Sequence, residues 1–312
     1  MGSSSNTREP PRIEPAADGA DTDVANEDRL SAAGSLRLHW PEYLMEAGES
    51  GIYLFAACAV ATLLWHPASP LQRYLATDAV RRMWMGLAMG AAIIAIVLSP
   101  WGKQSGAHFN PAVTFTFYRL RKVALWDAVF YCAAQLLGAV AGVALASLVL
   151  QGAPAHKVVR YAATMPGIHG EELYVNTIAF VAELAISFIL ISVILFASNH
   201  EVLAPYTHYF AAILVAVYIA FESPLSGMSA NPARTFGPAL YGNYWHALWI
   251  YFTAPPLGML GAAELFLRAR ERKAPYCAKL HHHNDKRCIF RHSCADHVES
   301  LRRATLGDFD SR

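Results

Sequence analysis

From residue 43 onward, long apolar runs alternate with short polar connections. Six of these runs reach the length of a helix that crosses a bilayer, which is about 20 residues for a hydrocarbon core of ~30 Å. Glycine, proline and charged residues separate the runs. The pattern therefore predicts six membrane-spanning helices, at residues 43–65, 79–99, 128–150, 175–197, 203–221 and 246–267.

The composition supports this interpretation. Of the 312 residues, 54% are hydrophobic and 16% are charged, whereas soluble proteins carry about 25% charged residues. The mean hydropathy is +0.26. These values exclude a disordered chain and an ordinary cytosolic enzyme. The net charge of +1 gives no electrostatic reason to expect a nucleic-acid partner.

Polar segments flank the six runs. Residues 1–40 carry few bulky apolar side chains, so we expect a disordered N-terminal tail there, and residues 268–312 form a C-terminal tail rich in Cys and His. No basic segment followed by a short apolar core opens the chain, so we expect no cleaved signal peptide. Six spans place both tails on one side, and the Lys and Arg residues of the connections favour the cytoplasmic side of the cell membrane. The basic residues on that side are Lys103, Arg119, Arg121, Lys122, Arg268, Arg270, Arg272 and Lys273, against Arg73, Arg81, Arg82, Lys157 and Arg160 on the other.

Two stretches are too polar to span a bilayer and too apolar to be free loops. They cover residues 100–120 and 222–241, and each follows the second span of a three-span half. The chain therefore reads as a duplicated unit, with halves at 41–150 and 175–267 that start on opposite sides of the membrane and are inverted. Both stretches contain the tripeptide Asn-Pro-Ala, as Asn110, Pro111 and Ala112 and as Asn231, Pro232 and Ala233.

Asn followed by Pro favours the start of a helix, because Asn is a preferred N-cap and Pro at the first helical position loses no hydrogen bond. We therefore expect short helices at 110–119 and 231–241, each roughly 15 Å long. Entering from opposite faces, they would meet at the midplane and line a water-filled cavity. With their side-chain oxygens capping the helices, Asn110 and Asn231 would present their NH2 groups to that cavity as donors. A single Asn-Pro is a common turn signal, but two copies in equivalent positions argue against chance.

The residues around both tripeptides resemble those of the aquaporins, the major intrinsic protein family. The resemblance covers about residues 43–267 and is carried by SGAHFNPAV at 105–113 and GMSANPAR at 227–234. It implies an all-α membrane protein with an aquaporin-like fold, in which six transmembrane helices and two re-entrant half-helices form an inverted repeat. It also implies one pore per subunit and a homotetramer in the lipid bilayer.

Four polar residues match positions that support the re-entrant loops in this family. Glu46 and Glu183 lie in the first span of each half, Gln135 lies in a third span, and His108 lies beside the first tripeptide. In the family, such glutamates hydrogen bond to the loop backbone. A carboxylate inside a membrane span is expected to be paired or functional in any case. The alternative for Glu46 is a position near the membrane interface.

The first turn of the second half-helix carries Arg234, whereas the equivalent position of the first half is Val113. A guanidinium keeps its charge, so a pore-facing Arg234 would donate hydrogen bonds to solutes and repel cations. The alternative is an arginine that reaches to the membrane interface. The resemblance implies three further residues at the same constriction, namely Met228, Ile219 and Met85.

Two sets of residues favour different solutes. Many water-selective relatives carry histidine where this chain has Ile219, and the flexible side chains of Met85 and Met228 leave room for hydrogen peroxide, ammonia or a small polyol such as glycerol. Other positions resemble the water-channel pattern rather than that of glycerol-conducting relatives. These are Thr235, Ala239, Tyr251 and Phe252.

We expect a passive water channel that excludes protons and ions by its two half-helix ends and its filter arginine, and that needs no cofactor. The alternatives are a facilitator of small neutral solutes and a non-conducting metal-sensing or junction protein on the same scaffold. A secondary transporter also fits inverted repeats with broken helices, but the tripeptides offer neutral Asn where a coupling ion needs ionisable groups. An enzyme is not expected, because no nucleophile, base and oxyanion donors converge in the apolar region.

The C-terminal tail concentrates thiol and imidazole groups within eighteen positions. Such side chains suit Zn or another thiophilic metal, and a metal-organised cap under the pore could gate it. The alternative is a flexible basic tail with reduced thiols, because the spacing matches no established zinc-finger pattern. The candidate ligands are Cys277, His281, His282, His283, Cys288, His292 and Cys294.

Overall fold

The computed structural model describes residues 30–291 except 76, 168 and 283. Over this part of the chain the regular structure is helical, and six helices are long and apolar enough to cross a membrane. Each coincides with one of the six predicted runs, which confirms that prediction. In chain order the helices are α1 (Ala32–Trp65), α2 (Asp78–Leu98), α3 (Pro100–Ser105), α4 (Pro111–Arg119), α5 (Leu125–Val149), α6 (Glu172–Ser198), α7 (Thr207–Phe221), α8 (Ser223–Ser226), α9 (Pro232–Gly242) and α10 (Leu248–Ala269).

Short helices fill the two stretches that were predicted not to span. The helices α3 and α4 occupy the first stretch, and α8 and α9 occupy the second. Both α4 and α9 begin at the proline of a tripeptide, with Asn110 or Asn231 as the N-cap. The predicted half-helices are therefore confirmed. At 9 and 11 residues, they are too short to cross a bilayer.

The first helix begins earlier than the composition suggested. Because α1 starts at Ala32, the prediction of a disordered tail over 1–40 is wrong for residues 32–40, while residues 1–29 lie outside the described part. Ser31 caps this helix by accepting a hydrogen bond from the Gly34 amide at 3.2 Å. His39 is buried, and its Nδ1 lies 2.8 Å from Oδ1 of Asp127 in α5. These contacts order a segment whose average composition is polar.

The long helices pack in a pattern that repeats between the halves. Helix α1 lies against α5, α6 lies against α10, and α2 lies against α7. Glycine permits the close approach of α1 and α5, since a Cβ on Gly138 or Gly142 would collide with the backbone carbonyls of Ala47 or Gly51. Each half-helix also packs against a long helix of the opposite half, since α4 contacts α10 and α9 contacts α5. This exchange brings the two N-caps together inside the bundle.

The segment after α10 folds back onto one end of the bundle. The Arg287 guanidinium donates to the Leu38 carbonyl of α1 at 3.1 Å and lies 3.6 Å from the Glu42 carboxylate. The start of α1 and the described tail therefore lie on the same side, as six spans require. Lys279 and Phe290 are among the tail residues that are buried. The described residues of the tail therefore contact the bundle, and the alternative of a flexible tail does not apply to them.

Candidate functional site

Each half-helix begins with the same cap. The Asn110 side-chain oxygen accepts a hydrogen bond from the Ala112 amide at 2.9 Å. The Asn231 side-chain oxygen accepts from the amides of Ala233 at 3.0 Å and Arg234 at 3.3 Å. Both caps satisfy amides that lack a partner within the helix. The positive ends of α4 and α9, each equivalent to about half an elementary charge, thus lie at the two tripeptides.

The two caps are also joined across the halves. The Asn110 Nδ2 donates to the Ala230 carbonyl at 2.8 Å, and the Asn231 Nδ2 donates to the Phe109 carbonyl at 2.8 Å. The sequence predicted that both NH2 groups would be left for the cavity. The structure differs, because one hydrogen of each group holds the opposite loop. One N–H per amide remains for a solute.

Two buried carboxylates support the loops that precede the half-helices. Glu46 accepts hydrogen bonds from the backbone amides of His108 at 2.9 Å and Phe109 at 2.7 Å. Glu183 accepts from the amides of Ser229 and Ala230, both at 2.7 Å. Neither glutamate is exposed, so Glu46 lies inside the bundle and not at an interface. The two halves therefore use one carboxylate each to hold two consecutive amides.

Gln135 and His108 complete the support of the first loop. Gln135 Nε2 donates to Glu46 at 2.7 Å and to the Thr114 hydroxyl at 2.9 Å. The His108 ring lies 3.1 Å from that hydroxyl through Nδ1. Through Nε2 it lies 2.8 Å from the Ala278 carbonyl of the tail. His108 therefore connects the first half-helix to the C-terminal segment.

A second set of equivalent residues was missed by the sequence reasoning. Tyr131 donates its hydroxyl to the Ser105 carbonyl at 2.8 Å, and Tyr251 donates to the Ser226 carbonyl at 2.5 Å. The hydroxyl of Ser226 in turn donates to Glu183 at 2.7 Å. The sequence did contain a signal for the serines of this set, because a Ser-Gly dipeptide precedes each tripeptide by the same number of residues.

The loops before the half-helices hold strained backbone. Ala107 and Phe109 in the first loop have φ of 56° and 32°, and Met228 and Ala230 in the second have φ of 52° and 49°. Residues other than glycine seldom adopt this left-handed region. The hydrogen bonds around these loops maintain the strained backbone conformation. In this conformation the carbonyls of Phe109 and Ala230 face the opposite asparagine.

A cavity of about 500 Å³, here called the wide cavity, lies on the Arg234 side of the tripeptides. The four residues that the resemblance assigned to a constriction all line it, although their role there is an expectation. Tyr53 lines it as well, although no motif in the sequence singled out that residue. The four are Met85, Ile219, Met228 and Arg234.

Arg234 is positioned by a turn that sequence reasoning also missed. Its Nη1 donates to the Ala162 carbonyl at 2.7 Å. That carbonyl belongs to a turn, Arg160–Ala162, in which three successive residues have φ between 50° and 55°. Arg234 is only 9% exposed, so the guanidinium is held within the wall of the wide cavity and does not reach to a membrane interface.

A smaller cavity of about 60 Å³, here called the narrow cavity, lies on the other side of the tripeptides. Asn110, Asn231 and Val113 line it. Tyr53 and Met228 line both cavities, so the two adjoin there. Both asparagines therefore line the narrow cavity, which adjoins the wide one.

The tail forms part of the wall of the narrow cavity. Leu280 lines it, and the Leu280 amide donates to the Gly106 carbonyl at 3.1 Å. The His108 ring stacks on Phe290 with centroids 5.4 Å apart and on Phe117 with centroids 5.2 Å apart. Nothing in the membrane-spanning pattern indicated that tail residues would contact the first half-helix loop.

The candidate metal ligands of the tail are only partly brought together. The sulfurs of Cys277 and Cys288 lie 3.9 Å apart, and the His281 ring lies against His208 with centroids 5.2 Å apart. Among the residues that the structure describes, no group of three or more His, Cys, Asp or Glu side chains could hold a metal ion. His282 is described as well, whereas three other candidates lie outside the described residues. These three are His283, His292 and Cys294.

Comparison with known proteins agrees with this geometry. The family described as Major intrinsic protein matches residues 35–266. Aquaporin NIP2-3 of Zea mays is 32% identical over 190 residues, 61% of this chain and 60% of that protein. Aquaporin-4 of Homo sapiens is 36% identical over 176 residues, 55% of this chain and 52% of that protein. The chain thus spans about three fifths of the maize relative and about half of the human one.

A solved structure shows the same fold. The X-ray structure of the aquaglyceroporin from Plasmodium falciparum matches with a TM-score of 0.58 at 21% identity. The match covers 73% of this chain and 95% of that one. The helical bundle with two half-helices is therefore an architecture already seen in an experimental structure.

Proposed function

We propose that this chain, which belongs to the major intrinsic protein family and has the aquaporin fold, conducts water passively and excludes protons and ions. Members of this family are channels and not enzymes. One observation carries the proposal. Asn110 and Asn231 cap two half-helices that meet inside the bundle, and both asparagines line the narrow cavity beside the wide one.

Water can cross this passage because its hydrogen bonds are replaced one at a time. The asparagine amides each keep one N–H for a passing oxygen, and the Arg234 guanidinium supplies further donors in the wide cavity. The apolar side chains of Val113 and Ile93 line the narrow cavity and offer a water molecule no alternative partner. Water therefore moves along a short row of donors without a deep binding site.

Cations and protons meet an unfavourable field in the same place. Two helix N-termini and a buried guanidinium all present positive charge. A cation that sheds its water would receive few acceptors in exchange, because the Asn110 and Asn231 oxygens are engaged by their own helices. The charge of Arg234 and the two caps thus act together against cations.

A second candidate function is the passage of small neutral solutes. It is favoured by the wall of the wide cavity, where Ile219, Met85 and Met228 are apolar, and the two methionines are flexible. Hydrogen peroxide, ammonia and glycerol would pass Ile219 there, at the position where many water-selective relatives carry a histidine. The narrow cavity, at about 60 Å³, favours the smaller of these solutes.

We further propose a homotetramer in the cell membrane with both tails in the cytoplasm. Strongly exposed apolar side chains such as Leu137, Leu148 and Phe221 need lipid or another copy as a neighbour. Native mass spectrometry should give four times 34.1 kDa, and a monomer at all concentrations would contradict the homotetramer.

The orientation of the tails has its own test. A membrane-impermeant thiol reagent should label the tail cysteines only after cells are opened, and labelling of the tail cysteines in intact cells would contradict the orientation.

Stopped-flow shrinkage of proteoliposomes under an osmotic gradient tests the proposed function. The purified protein should speed shrinkage well above that of empty vesicles at every size of gradient. Shrinkage no faster than in empty vesicles would overturn the channel, and flux coupled to an ion gradient would favour a transporter. Repeating the experiment with glycerol and hydrogen peroxide as the permeant solutes decides between the two candidate functions.

A further inference from the structure

The junction of the wide and narrow cavities carries a polar side chain that the half-helices do not supply. Among the described residues, Tyr53 and Met228 are the two that line both cavities. The donors on either side belong to one cavity each, because Arg234 lines the wide one and Asn110 and Asn231 line the narrow one. At the junction, therefore, the described side chains offer one strong hydrogen-bonding group, which is the hydroxyl of Tyr53.

The hydroxyl of Tyr53 differs from those of two other buried tyrosines. Buried tyrosine hydroxyls usually have a hydrogen-bond partner, and those of Tyr131 and Tyr251 donate to the carbonyls of Ser105 and Ser226. Within the described part of the chain, the Tyr53 hydroxyl has no such partner, and its oxygen is not fully covered. The residue is only 7% exposed and lines both cavities, so this hydroxyl is available to a molecule in the passage.

Contacts on both sides fix the position of Tyr53. It follows Glu46 by seven residues, or two turns of α1, so the two side chains lie on the same face of the helix. The Tyr53 ring packs on the ring of Phe109, in the strained loop before α4, with centroids 5.6 Å apart. Five residues further along α1, Cys58 donates its thiol to the Tyr161 carbonyl at 3.3 Å, in the turn that holds the guanidinium. Helix α1 is thus tied to both loops that border the junction.

The polar side chains on either side of Tyr53 can donate hydrogen bonds but not accept them. A guanidinium has no acceptor, and the side-chain oxygens of Asn110 and Asn231 are engaged by their own helices. A hydroxyl can both donate and accept. A water molecule whose oxygen accepts from one of these donors can therefore give one of its own hydrogens to Tyr53. Without that acceptor, the water would lose a hydrogen bond as it crosses the junction.

We propose that Tyr53 is a specificity-determining residue of the passage, and that its hydroxyl selects small neutral solutes that carry an O–H group. Water and hydrogen peroxide are the best matches for this site. The hydroxyl accepts a hydrogen bond from the solute, while Arg234 or an asparagine amide holds the solute's oxygen. A neutral molecule without such a hydrogen, such as dissolved carbon dioxide, gains no hydrogen bond from this acceptor. The inference rests on the proposed channel function and adds the chemical class of its solutes.

The variant Tyr53→Phe tests the proposal because it removes the hydroxyl and keeps the ring. One lost hydrogen bond of about 1 kcal/mol corresponds to a factor of about five. Water flux in stopped-flow shrinkage of proteoliposomes should therefore fall by about fivefold, and hydrogen peroxide flux should fall similarly. A residue that only filled space would give the opposite sign, since phenylalanine is the smaller side chain.

The matched control is Tyr174→Phe, at a tyrosine of α6 that is 59% exposed, and it should conduct like the unchanged protein. Water flux that is unaltered or faster in Tyr53→Phe would overturn the proposal. A failure of the channel itself would show in the unchanged protein, which would then shrink no faster than empty vesicles. A failure of the inference about Tyr53 would show only in the comparison of Tyr53→Phe with a conducting, unchanged protein.

Radical footprinting of the unchanged chain gives a readout that needs neither flux nor a folded variant. X-rays convert water inside a protein into hydroxyl radicals, which oxidise the side chains beside that water, and mass spectrometry reads the oxidation residue by residue. Tyr53 should be oxidised in spite of its burial. Tyr131, which is fully buried and has its hydroxyl engaged, is the internal control. Oxidation of Tyr53 no greater than that of Tyr131 would contradict the proposal.

Discussion

The two halves of the pore agree closely at the centre and differ at their mouths. At the centre, Asn110 and Asn231 each donate across to the opposite loop at 2.8 Å, and Glu46 and Glu183 each hold two consecutive amides. At the mouths, a cavity of about 500 Å³ faces one of about 60 Å³. Duplicated residues thus build the centre, whereas residues that differ between the halves or lie outside them line the two entrances.

The difference between the mouths comes from two departures from symmetry. In the second half, Arg234 stands where the first half has Val113, and the turn carrying Ala162 holds its guanidinium. In the first half, the His108 loop meets the C-terminal tail through Ala278 and Leu280. Filtering by charge is therefore expected at one mouth and control of access at the other.

The largest effect is expected from the equivalent carboxylates. Glu46→Ala and Glu183→Ala each leave two buried amides without an acceptor, at about 1 to 3 kcal/mol per group, or roughly 2 to 6 kcal/mol of folding stability. Thermal unfolding in detergent, followed by tryptophan fluorescence, should show similar losses for both. Glu201→Ala, at an exposed glutamate, is the control and should unfold like the unchanged protein. A large loss for only one of the pair would show that the halves are not equivalent.

The next effect concerns the charge of the wide cavity. Arg234→Val removes the fixed guanidinium and should raise proton leak by about tenfold, the factor that matches about 1.4 kcal/mol of lost repulsion. It should also admit larger neutral solutes. Vesicles loaded with a pH-sensitive dye measure the leak. Arg73→Val, at an exposed arginine, is the control, and a leak equal in the two variants would refute the role given to Arg234.

The smallest effect is expected at the narrow mouth. Leu280→Ala shortens a tail side chain that lines the narrow cavity and leaves the centre intact, so water flux should rise by less than about tenfold, or 1.4 kcal/mol of barrier. Stopped-flow shrinkage measures the change. Leu148→Ala, at a leucine that is 77% exposed, should leave the rate unchanged. Unaltered flux in Leu280→Ala would show that the tail does not restrict entry.

The centre could be predicted from the sequence because its determinants are local and repeated. Asn before Pro specifies a helix start wherever it occurs, so the caps at Asn110 and Asn231 followed from two residues each. The six spans followed equally well from length and hydropathy. The average composition of residues 1–40 gave a wrong prediction for the last nine of them. These residues, from Ala32 onward, are helical, and the contact of His39 with Asp127 helps to order them.

The mouths could not be predicted because their contacts join distant parts of the chain. The Ala162 carbonyl that binds Arg234 is 72 residues away, and the Ala278 carbonyl beside His108 is 170 residues away. Neither involves a side chain of unusual chemistry, since both acceptors are backbone carbonyls of alanine. A pattern of apolar and polar residues carries no information about such pairs.

The most direct test of a passage between the two half-helix ends is to block it. Val113 lines the narrow cavity, so Val113→Trp should fill that space while leaving the wide cavity untouched. Val181→Trp, at a position 58% exposed on α6, is the matched control for the added bulk. In stopped-flow shrinkage of proteoliposomes, Val113→Trp should fall to the rate of empty vesicles, while Val181→Trp should shrink as fast as the unchanged protein. Full water flux through a folded Val113→Trp variant would contradict the account.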